Sequence, residues 1–527
     1  MTIEALIARQ NPDATAVIVA DPAGDRCLTH RQMLEGAHAW ATHLSSLGLD
    51  TGDVIAVWLP NGAAWLMIEL AASRLGLVVA PVNTRFRPVE VREILRRSGA
   101  RVVIGPRELA GLDLSALLTE ALEAPVPTGA PTSDLLPRLA WSMFIDDEDV
   151  PESEAPLPAP VSEDRLLNLF TTTGSTGVPK LAMHRQSDLI TRFTAAAARF
   201  GIDAGDRVLC VLPLCGVWGL GIALAALMRG ATAVLMPVFD ADEAAEVMDR
   251  HRIAHLHGGD NMILSILDSG RLPVGTLDAW KSCYFGAFTG QPARQTIARI
   301  EACGASVRAA QAYGSSEGLT FITAASPNAS VEERARAGGP LVDAETRLRV
   351  VTPGTTTPVA VGETGEIQLS GATVTHGYFG NEAATRDAFT EDGWFRTGDL
   401  GEATATGAVF IARLGDTLRL RGNLVDPAEI ENVLCAHADV AEAHVVGART
   451  VERGDVAFAF VSPLPGRPVS EGALSAWCRD RLAAFKRPEQ IVITDDIPKI
   501  QGVNGPKVQK SVLRERAQAY FSTPRSA

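Results

Sequence analysis

Residues 172–180 read Thr-Thr-Gly-Ser-Thr-Gly-Val-Pro-Lys and directly follow an apolar stretch at residues 166–170. Glycines let backbone N–H groups turn inward around an anion, hydroxyls add donors, and Lys180 adds a mobile positive charge. The run therefore predicts a phosphate-binding loop, with a flexible surface loop as the alternative. It does not fit the G-x-x-x-x-G-K-[ST] motif, because Pro179 stands at the second glycine position and Leu181 follows the lysine. An ordinary P-loop NTPase is thereby disfavoured.

Length and composition indicate a globular chain with more than one domain. The chain has 527 residues, of which 46% are hydrophobic and 21% are charged. A net charge of −14 argues against a nucleic-acid partner, which would require a basic surface. Seven scattered cysteines without a Cys-x-x-Cys pair predict free thiols and a cytoplasmic location. We expect no membrane span, because the most apolar region, residues 217–238, is interrupted at Arg229 and reads as a buried helix followed by a strand.

The pattern of apolar segments predicts an α/β fold. Short β-rich runs at residues 54–59, 102–104 and 208–212 alternate with longer helical patterns such as residues 63–75. Residues 151–160 contain too many prolines for a packed element and predict an exposed connector.

Two further clusters stand downstream of the phosphate loop. Residues 311–317 read Gln-Ala-Tyr-Gly-Ser-Ser-Glu, and residues 394–399 read Trp-Phe-Arg-Thr-Gly-Asp. With the 172–180 loop they occur in the order and approximate spacing of the adenylate-forming superfamily, and the chain resembles its acyl-CoA synthetases. The resemblance covers essentially the whole chain, from residues 74–85 to Lys507.

The resemblance implies an α/β N-terminal domain of several subdomains and a small, mobile α+β C-terminal domain. The first, residues 1–414, would bind AMP and the acyl group, and the second, residues 415–527, would carry the Lys507 loop. Gly415 would be the hinge between them, where a glycine lowers the cost of large backbone changes. A plain surface turn is the alternative reading of Gly415.

The implied activity is an acid–thiol ligase reaction in two steps. A carboxylate attacks ATP to give an acyl-adenylate and pyrophosphate, and coenzyme A then displaces AMP to give a thioester. Because carboxylate and triphosphate are both negative, the site must neutralise charge. The resemblance gives Lys180, Glu317 and Lys507 as catalytic residues, with Glu317 and Thr172 as Mg²⁺ ligands. A carboxylate at the start of a helix is the alternative reading of Glu317.

The implied nucleotide site combines the phosphate loop, two walls around adenine and the ribose contacts. Asp399 matches the acid that accepts hydrogen bonds from both ribose hydroxyls, and Arg413 would complete these contacts. Tyr313 would stack near adenine, opposite a wall that contains Phe288, where the family usually has a smaller residue or proline. The set is Thr172, Thr173, Gly174, Ser175, Thr176, Gly177, Lys180, Gly286, Ala287, Phe288, Gln311, Ala312, Tyr313, Gly314, Ser315, Ser316, Asp399 and Arg413.

The acyl and CoA sites are implied by the same resemblance. The predicted CoA-binding residues are Arg419, Arg421, Gly422, Asn423 and Lys486. The predicted acyl-binding residues are Cys215, Gly216, Trp218 and Gly286. The pair Cys215-Gly216 replaces a Phe-His pair that is common in the family. The lost bulk predicts a large apolar acid, aromatic or polycyclic and terpenoid-like.

Three departures from the family pattern leave the activity open in one respect. These are Gly216, Gly415 and a segment before Lys507 that is longer than the usual turn. The chain could therefore be mainly a thioesterification enzyme that takes acyl-adenylate from a separate adenylating partner. An enzyme that loads a carrier protein and a catalytically silent acyl or nucleotide sensor are further alternatives. A homodimer is compatible with the family.

Overall fold

The computed structural model describes residues 2–86, 88–109, 111–152, 155–161, 164–172, 179–272, 277–288, 291–414, 418–420, 423–425, 427–450, 454–482, 484, 486–502 and 505–522. Within these ranges only the backbone is described at residues 112, 419, 423, 424, 454, 501, 502, 505–507 and 522.

The helices are α1 (Ile3–Ile7), α2 (His30–Ser46), α3 (Ala63–Leu75), α4 (Pro88–Ser98), α5 (Leu114–Leu122), α6 (Gln186–Phe200), α7 (Val217–Met228), α8 (Ala241–Arg250), α9 (Asp260–Asp268), α10 (Ala293–Glu301), α11 (Val331–Arg334), α12 (Glu382–Ala388), α13 (Pro427–Cys435), α14 (Glu471–Arg479) and α15 (Lys510–Ser522). The strands up to the phosphate-loop hairpin are β1 (Thr15–Val19), β2 (Arg26–Thr29), β3 (Val54–Val57), β4 (Val78–Pro81), β5 (Val102–Pro106), β6 (Glu108–Leu109), β7 (Leu112–Asp113), β8 (Trp141–Ile145), β9 (Leu166–Thr172) and β10 (Lys180–Arg185). The later strands are β11 (Arg207–Cys210), β12 (Thr232–Leu235), β13 (His255–Leu256), β14 (Gly258–Gly259), β15 (Ser282–Gly286), β16 (Arg308–Tyr313), β17 (Thr323–Ala324), β18 (Gly338–Pro340), β19 (Thr346–Val351), β20 (Thr364–Gly371), β21 (Phe395–Ala403), β22 (Gly407–Arg413), β23 (Leu418–Leu420), β24 (Asn423–Val425), β25 (Val440–Thr450), β26 (Gly454–Pro463), β27 (Gln490–Ile493), β28 (Lys499–Gly502) and β29 (Gly505–Val508).

Two largely parallel sheets confirm the predicted α/β class. One has nine strands, in the order β17-β16-β15-β13-β11-β12-β1-β2 with β14 beside β15, and the other has six, in the order β10-β9-β4-β3-β5-β8. Strands such as β3, buried at every position, are typical of parallel sheets covered on both faces. The region read as a buried helix and strand is α7, with every residue buried, followed by β12. No helix in the described ranges is both long and apolar enough to cross a membrane.

A five-stranded antiparallel sheet, in the order β18-β22-β21-β20-β19, follows the parallel sheets. Its two neighbouring strands β21 and β22 place Asp399 opposite Arg413. Residues that stand 14 positions apart in sequence are thereby brought side by side, because directly opposed residues of antiparallel strands share a face.

The C-terminal region has its own core. β25, β26 and β27 form a sheet, and α13 packs on β25. β28 and β29 pair as an antiparallel hairpin in which Lys507 stands opposite Ile500. The long loop expected before Lys507 is therefore wrong for residues 499–502 and 505–508, which pair as strands through their backbone N–H and C=O groups. The proposed boundary at residue 415 lies outside the described residues.

Candidate active site

Two antiparallel strands flank the phosphate-loop sequence. β9 and β10 are antiparallel, and Thr172 stands opposite Lys180 at their open end. Both side chains are partly exposed, so they are accessible to a ligand. Residues 173–178, which include the predicted Thr173, Gly174, Ser175, Thr176 and Gly177, lie outside the described residues. Lys180 is the first residue of β10, so strand pairing fixes the lysine backbone directly after the loop sequence.

Glu317 lies in a turn that follows β16, which excludes the helix-start reading. Gln311, Ala312 and Tyr313 end that strand, and residues 316–319 form the turn. Leu319, the last residue of this turn, and Thr320 and Phe321 after it all have left-handed backbone, with φ of 52°, 47° and 41°. This conformation costs about 1–2 kcal/mol per residue outside glycine, so buried packing must hold it in place. All three side chains are at most 6% exposed.

Hydrogen bonds fix the backbone of this turn from two directions. The Thr320 N–H donates to the Ser315 carbonyl at 2.8 Å, and His184 Nε2 lies 2.8 Å from the Ser316 carbonyl oxygen. Burial lowers the pKa of His184 to about 3, so its ring is neutral and Nε2 carries the donated hydrogen. Gly314 is required here, because a Cβ would lie 2.6 Å from the Phe321 nitrogen. The strand end, the buried histidine and the left-handed turn together set where Glu317 points.

Tyr378, which the motif comparison did not single out, joins the loop lysine to Glu317. Its O–H donates to Glu317 Oε1 at 3.0 Å, and Lys180 Nζ lies 4.7 Å from its ring centroid. The Tyr378 side chain is buried, with 6% exposure. Burial, and then the Glu317 carboxylate, raise the pKa of Tyr378 well above its usual value, so the phenol stays protonated and keeps donating.

The predicted ribose acid lies in a second cluster. The Tyr313 O–H donates to Asp399 Oδ2 at 2.7 Å, and Arg413 Nε lies 2.9 Å from Oδ1. The Asp399 side chain is 2% exposed, whereas that of Arg413 is 54% exposed. Phe410 stacks on Tyr313 with ring centroids 5.4 Å apart and planes at 10°. The structure thus brings Tyr313, Asp399 and Arg413 together, with one face of the tyrosine covered by protein.

Two of the predicted acyl residues, Trp218 and Gly286, meet at the carboxyl end of the parallel strand β15. Gly259 of β14 pairs with Gly286 of β15, so two residues without side chains form a floor. The Phe288 ring lies over both glycines. A Cβ atom added to Gly259 would lie 2.8 Å from this ring, and one added to Gly286 would lie 3.2 Å from it. The Trp218 ring also lies beside Gly286, because a Cβ atom added to this glycine would lie 3.2 Å from that ring. Phe288 was grouped with the adenine wall in the sequence, and its contacts here are to the acyl residues.

Cys215 and Gly216 directly precede α7, the helix that contains Trp218. Gly216 is the N-terminal capping residue of α7, with φ −102°, a conformation open to any residue. Burial raises the pKa of the Cys215 thiol to about 12, which keeps it a neutral, apolar group rather than a nucleophile. Phe288, Trp218 and the Asn261 amide oxygen therefore surround the two glycines, and Cys215 contributes no reactive thiolate.

The donor set fits a magnesium ion held mainly by phosphates. In the described part of the chain no three acidic, histidine or cysteine side chains converge as a metal site. Mg²⁺ often binds through one or two carboxylates together with substrate phosphates, and Glu317, accepting only from Tyr378 at one oxygen, could supply such a carboxylate. Thr172, at the hairpin end, stays a predicted second ligand.

Several predicted residues of the C-terminal region can be placed only in part. The structure describes only the backbones of Arg419, Asn423 and Lys507, which lie in β23, β24 and β29. Gly415, Arg421 and Gly422 are also outside the described residues. Lys486 Nζ lies 2.5 Å from Glu429 Oε1, so binding CoA phosphate would require this lysine to exchange partners.

Comparison with known proteins identifies the family. Residues 5–379 match the AMP-binding enzyme family and residues 429–502 match the AMP-binding enzyme C-terminal domain. The chain is 32% identical to the 3-[(3aS,4S,7aS)-7a-methyl-1,5-dioxo-octahydro-1H-inden-4-yl]propanoyl:CoA ligase of Mycobacterium tuberculosis, over 97% of each chain. It is 30% identical to the 2-succinylbenzoate–CoA ligase of Geobacillus kaustophilus, over 93% of this chain and 94% of the relative. The crystal structure of ATP-bound MatB from Rhodopseudomonas palustris has the same fold, with a TM-score of 0.84 at 24% identity, and the comparison covers 99% of this chain and 100% of that one. The chain belongs to the AMP-binding enzyme family and is an AMP-forming acid–thiol ligase of the acyl-CoA synthetase type.

Proposed function

We propose that this ligase activates a bulky, apolar carboxylic acid as its acyl-adenylate and transfers the acyl group to coenzyme A. The observation that carries the substrate proposal is the pair of aromatic side chains, Phe288 and Trp218, at the Gly259–Gly286 floor. Phe288 is 51% exposed, which leaves much of an aromatic ring available to an acyl group. Covering apolar surface contributes about 25 cal/mol per Å², so a large acyl skeleton would gain more here than acetate. The bicyclic acid in the name of the M. tuberculosis relative supports the same class.

The adenylation roles follow from the two polar clusters. Lys180 supplies positive charge to the β- and γ-phosphates, and Lys507 supplies it to the carboxylate and α-phosphate. Asp399 accepts from the ribose hydroxyls, because each of its oxygens has a second lone pair beside those used by Tyr313 and Arg413. Glu317 holds Mg²⁺, which neutralises phosphate charge when bound. The result is a site where two anions can approach each other.

Thioester formation needs the mixed anhydride and the CoA thiol in one place. We propose that the C-terminal domain, residues 415–527, rotates so that Lys507 leaves and the segment containing Arg419 and Asn423 enters. The CoA thiol then releases its proton to solvent as its sulfur bonds to the acyl carbon, the bond between that carbon and the phosphate oxygen breaks, and AMP departs. Lys486 would contact CoA after release from Glu429.

A thioesterification specialist remains the second candidate because Gly216 offers no side chain where the family commonly has histidine. One paired mass-spectrometric assay separates the two. Free acids of graded size are incubated with ATP, Mg²⁺ and CoA, and the matching synthetic acyl-adenylates are incubated with CoA alone. Acyl-CoA from both inputs, greatest with bulky apolar acids, is the expected result. Acyl-CoA from the adenylate alone would favour the thioesterification specialist. If neither input gives acyl-CoA, the catalytically silent sensor becomes the favoured function.

Lys507→Ala provides the matched control for that assay. Removing the ammonium should lower acyl-CoA formation from free acid by about 100-fold or more, the scale of losing a positioned charge-stabilising group. Formation from the synthetic adenylate should stay within about threefold, because the anhydride already exists. Equal losses from both inputs would contradict the role assigned to Lys507. Replacing CoA by a phosphopantetheinylated carrier protein tests the remaining acceptor.

A further inference from the structure

Tyr378 stands between two opposite charges of the adenylation site. The Lys180 ammonium lies over its ring, and the Glu317 carboxylate accepts from its hydroxyl. In the described part of the chain neither Lys180 nor Glu317 has an ion-pair partner within 4.0 Å. Two unpaired charges of opposite sign are thus held on one neutral side chain.

Backbone pairing holds Tyr378 firmly in this place. His376 and Phe379 donate N–H groups to Met183 and Leu181 of β10, at 3.0 and 2.9 Å. On the other side, the Thr375 N–H donates to the Glu317 carbonyl at 2.7 Å. The segment therefore lies as an added strand between the lysine-bearing strand and the glutamate-bearing turn, and a change at its side chain need not move either neighbour.

The physical difficulty in this site is that Lys180 and Glu317 attract each other. A direct pair would cancel the positive charge intended for phosphate and occupy the carboxylate intended for the metal. A cation over an aromatic face is attracted without its charge being neutralised, and a phenol O–H orients a carboxylate while leaving its charge intact. The two contacts therefore supply neutral substitutes for the salt bridge.

We propose that Tyr378 is a positioning residue that keeps Lys180 and Glu317 from pairing, so that ATP phosphates and Mg²⁺ find both charges free. This inference rests on the proposed function, which gives Lys180 to phosphate and Glu317 to the metal. The ring and the hydroxyl have separable tasks. Tyr378→Phe keeps the face under Lys180 and loses the donor to Glu317, whereas Tyr378→Leu loses both.

The test is Mg²⁺-free binding of ATP and AMP, measured by calorimetric titration. Tyr378→Leu should weaken ATP binding by about 5- to 30-fold, because Lys180 is captured by Glu317, on the scale of a desolvated cation–π contact. AMP has no β- or γ-phosphate, so its affinity should change less than about twofold. A general disturbance of the fold would weaken both nucleotides together, and an equal loss for ATP and AMP would overturn the proposal.

The decisive measurement is a cycle with Glu317→Gln. In the Tyr378→Leu background this substitution removes the capturing carboxylate and should restore most of the ATP affinity. In the wild-type background Glu317→Gln removes only a nearby negative charge, so its gain should be several-fold smaller. The same gain in both backgrounds would show that no Lys180–Glu317 pair forms without Tyr378, and the inference would be wrong.

Tyr378→Phe keeps the proposal testable if the leucine variant does not fold. The affinity of Tyr378→Phe for ATP without Mg²⁺ should stay within about twofold of the wild type. The Mg²⁺ concentration that gives half of the maximal increase in ATP affinity should rise about 3- to 10-fold, because a metal ligand loses its hydrogen-bond partner. An unchanged Mg²⁺ requirement would refute the hydroxyl's role. Tyr284→Phe is the matched control: it removes a buried phenol that donates to the Ala325 carbonyl at 3.1 Å.

These outcomes are distinct from failure of the proposed function. If the wild-type protein binds neither ATP nor AMP and makes no acyl-CoA from any acid, the proposed function fails. If the wild type is active and the cycle shows no extra gain, only the spacer role of Tyr378 fails.

Discussion

Glu69 is a fully buried acid in the apolar helix α3, and its replacement by glutamine should stabilise the protein. The side chain has no solvent exposure, and its Oε2 accepts only a 3.3 Å contact from Asn168 Nδ2. Burial raises the pKa of Glu69 from 4.5 to about 8. The folded protein must therefore keep this carboxyl protonated at a pH where the unfolded chain would ionise it.

The size and sign of the effect follow from linkage. Below pH 4.5 the group is protonated in both states and costs nothing. As the pH rises from 4.5 towards 8 the unfolded state loses the proton first, so stability falls by about 1.4 kcal/mol per pH unit. The accumulated loss is about 3 kcal/mol at pH 7 and levels off above pH 8. Glu69→Gln keeps the shape and an acceptor for Asn168 but removes this dependence.

Urea unfolding at pH 5, 6, 7 and 8, followed by tryptophan fluorescence, measures the difference between the two proteins. The variant should gain little at pH 5 and progressively more up to pH 8, with unchanged acyl-CoA formation at saturating substrates. Glu120→Gln, at an exposed glutamate of α5, is the control and should give parallel curves. Stability curves of wild type and Glu69→Gln that stay parallel from pH 5 to 8 would refute the reasoning.

Three further predictions concern the site. Tyr313→Phe removes the donor to Asp399 and should weaken AMP binding about 10-fold in calorimetric titration, the value of a hydrogen bond to a charged group; an unchanged affinity would separate this pair from the ribose site. Gly216→Phe should shift kcat/KM from bulky towards small acids by at least about 10-fold, as expected for a pocket losing several carbons of space, and the same size preference would count against the acyl pocket. Cys215→Ala should keep both half-reactions within about threefold, because its thiol has a pKa of about 12 and supplies no thiolate; loss of thioester formation alone would contradict this.

The polar motifs could be found in the sequence because each breaks the local apolar pattern, near a strand end for Lys180 and Glu317 and within β21 for Asp399. Lys180 follows a glycine and hydroxyl run, and Glu317 and Asp399 follow or interrupt β-rich segments. The structure brings Lys180 and Glu317 to the same tyrosine, and Asp399 to Tyr313 and Arg413. Apolar runs likewise predicted β3, α3 and α7. Elements that are buried on all sides contain few polar residues, so their apolar runs are continuous and easy to recognise.

Tyr378 and Glu69 could not be found in this way. Tyr378 functions through residues 198 and 61 positions away in sequence, and an aromatic residue beside glycine gives no local sign of such contacts. Glu69 reads as one polar residue of a helix, which usually faces water. Its burial depends on α3 being covered on every side by elements from distant parts of the chain. Long-range packing, rather than local propensity, decides both environments.

In the segment before Lys507, long-range pairing also decided the structure, but here the sequence predicted less order than the structure has. Extra residues between Pro498 and Lys507 predicted a loop with more conformational entropy, and hence a poorly positioned lysine. Antiparallel pairing of Ile500 with Lys507 and of Lys499 with Val508 instead fixes the backbone of residues 499–502 and 505–508. A paired strand positions its residues more firmly than an open loop does, because its N–H and C=O groups are bonded within the hairpin. The pairing therefore weakens the argument from loop entropy against adenylation, and Gly216 and Gly415 are the two departures that this hairpin does not affect.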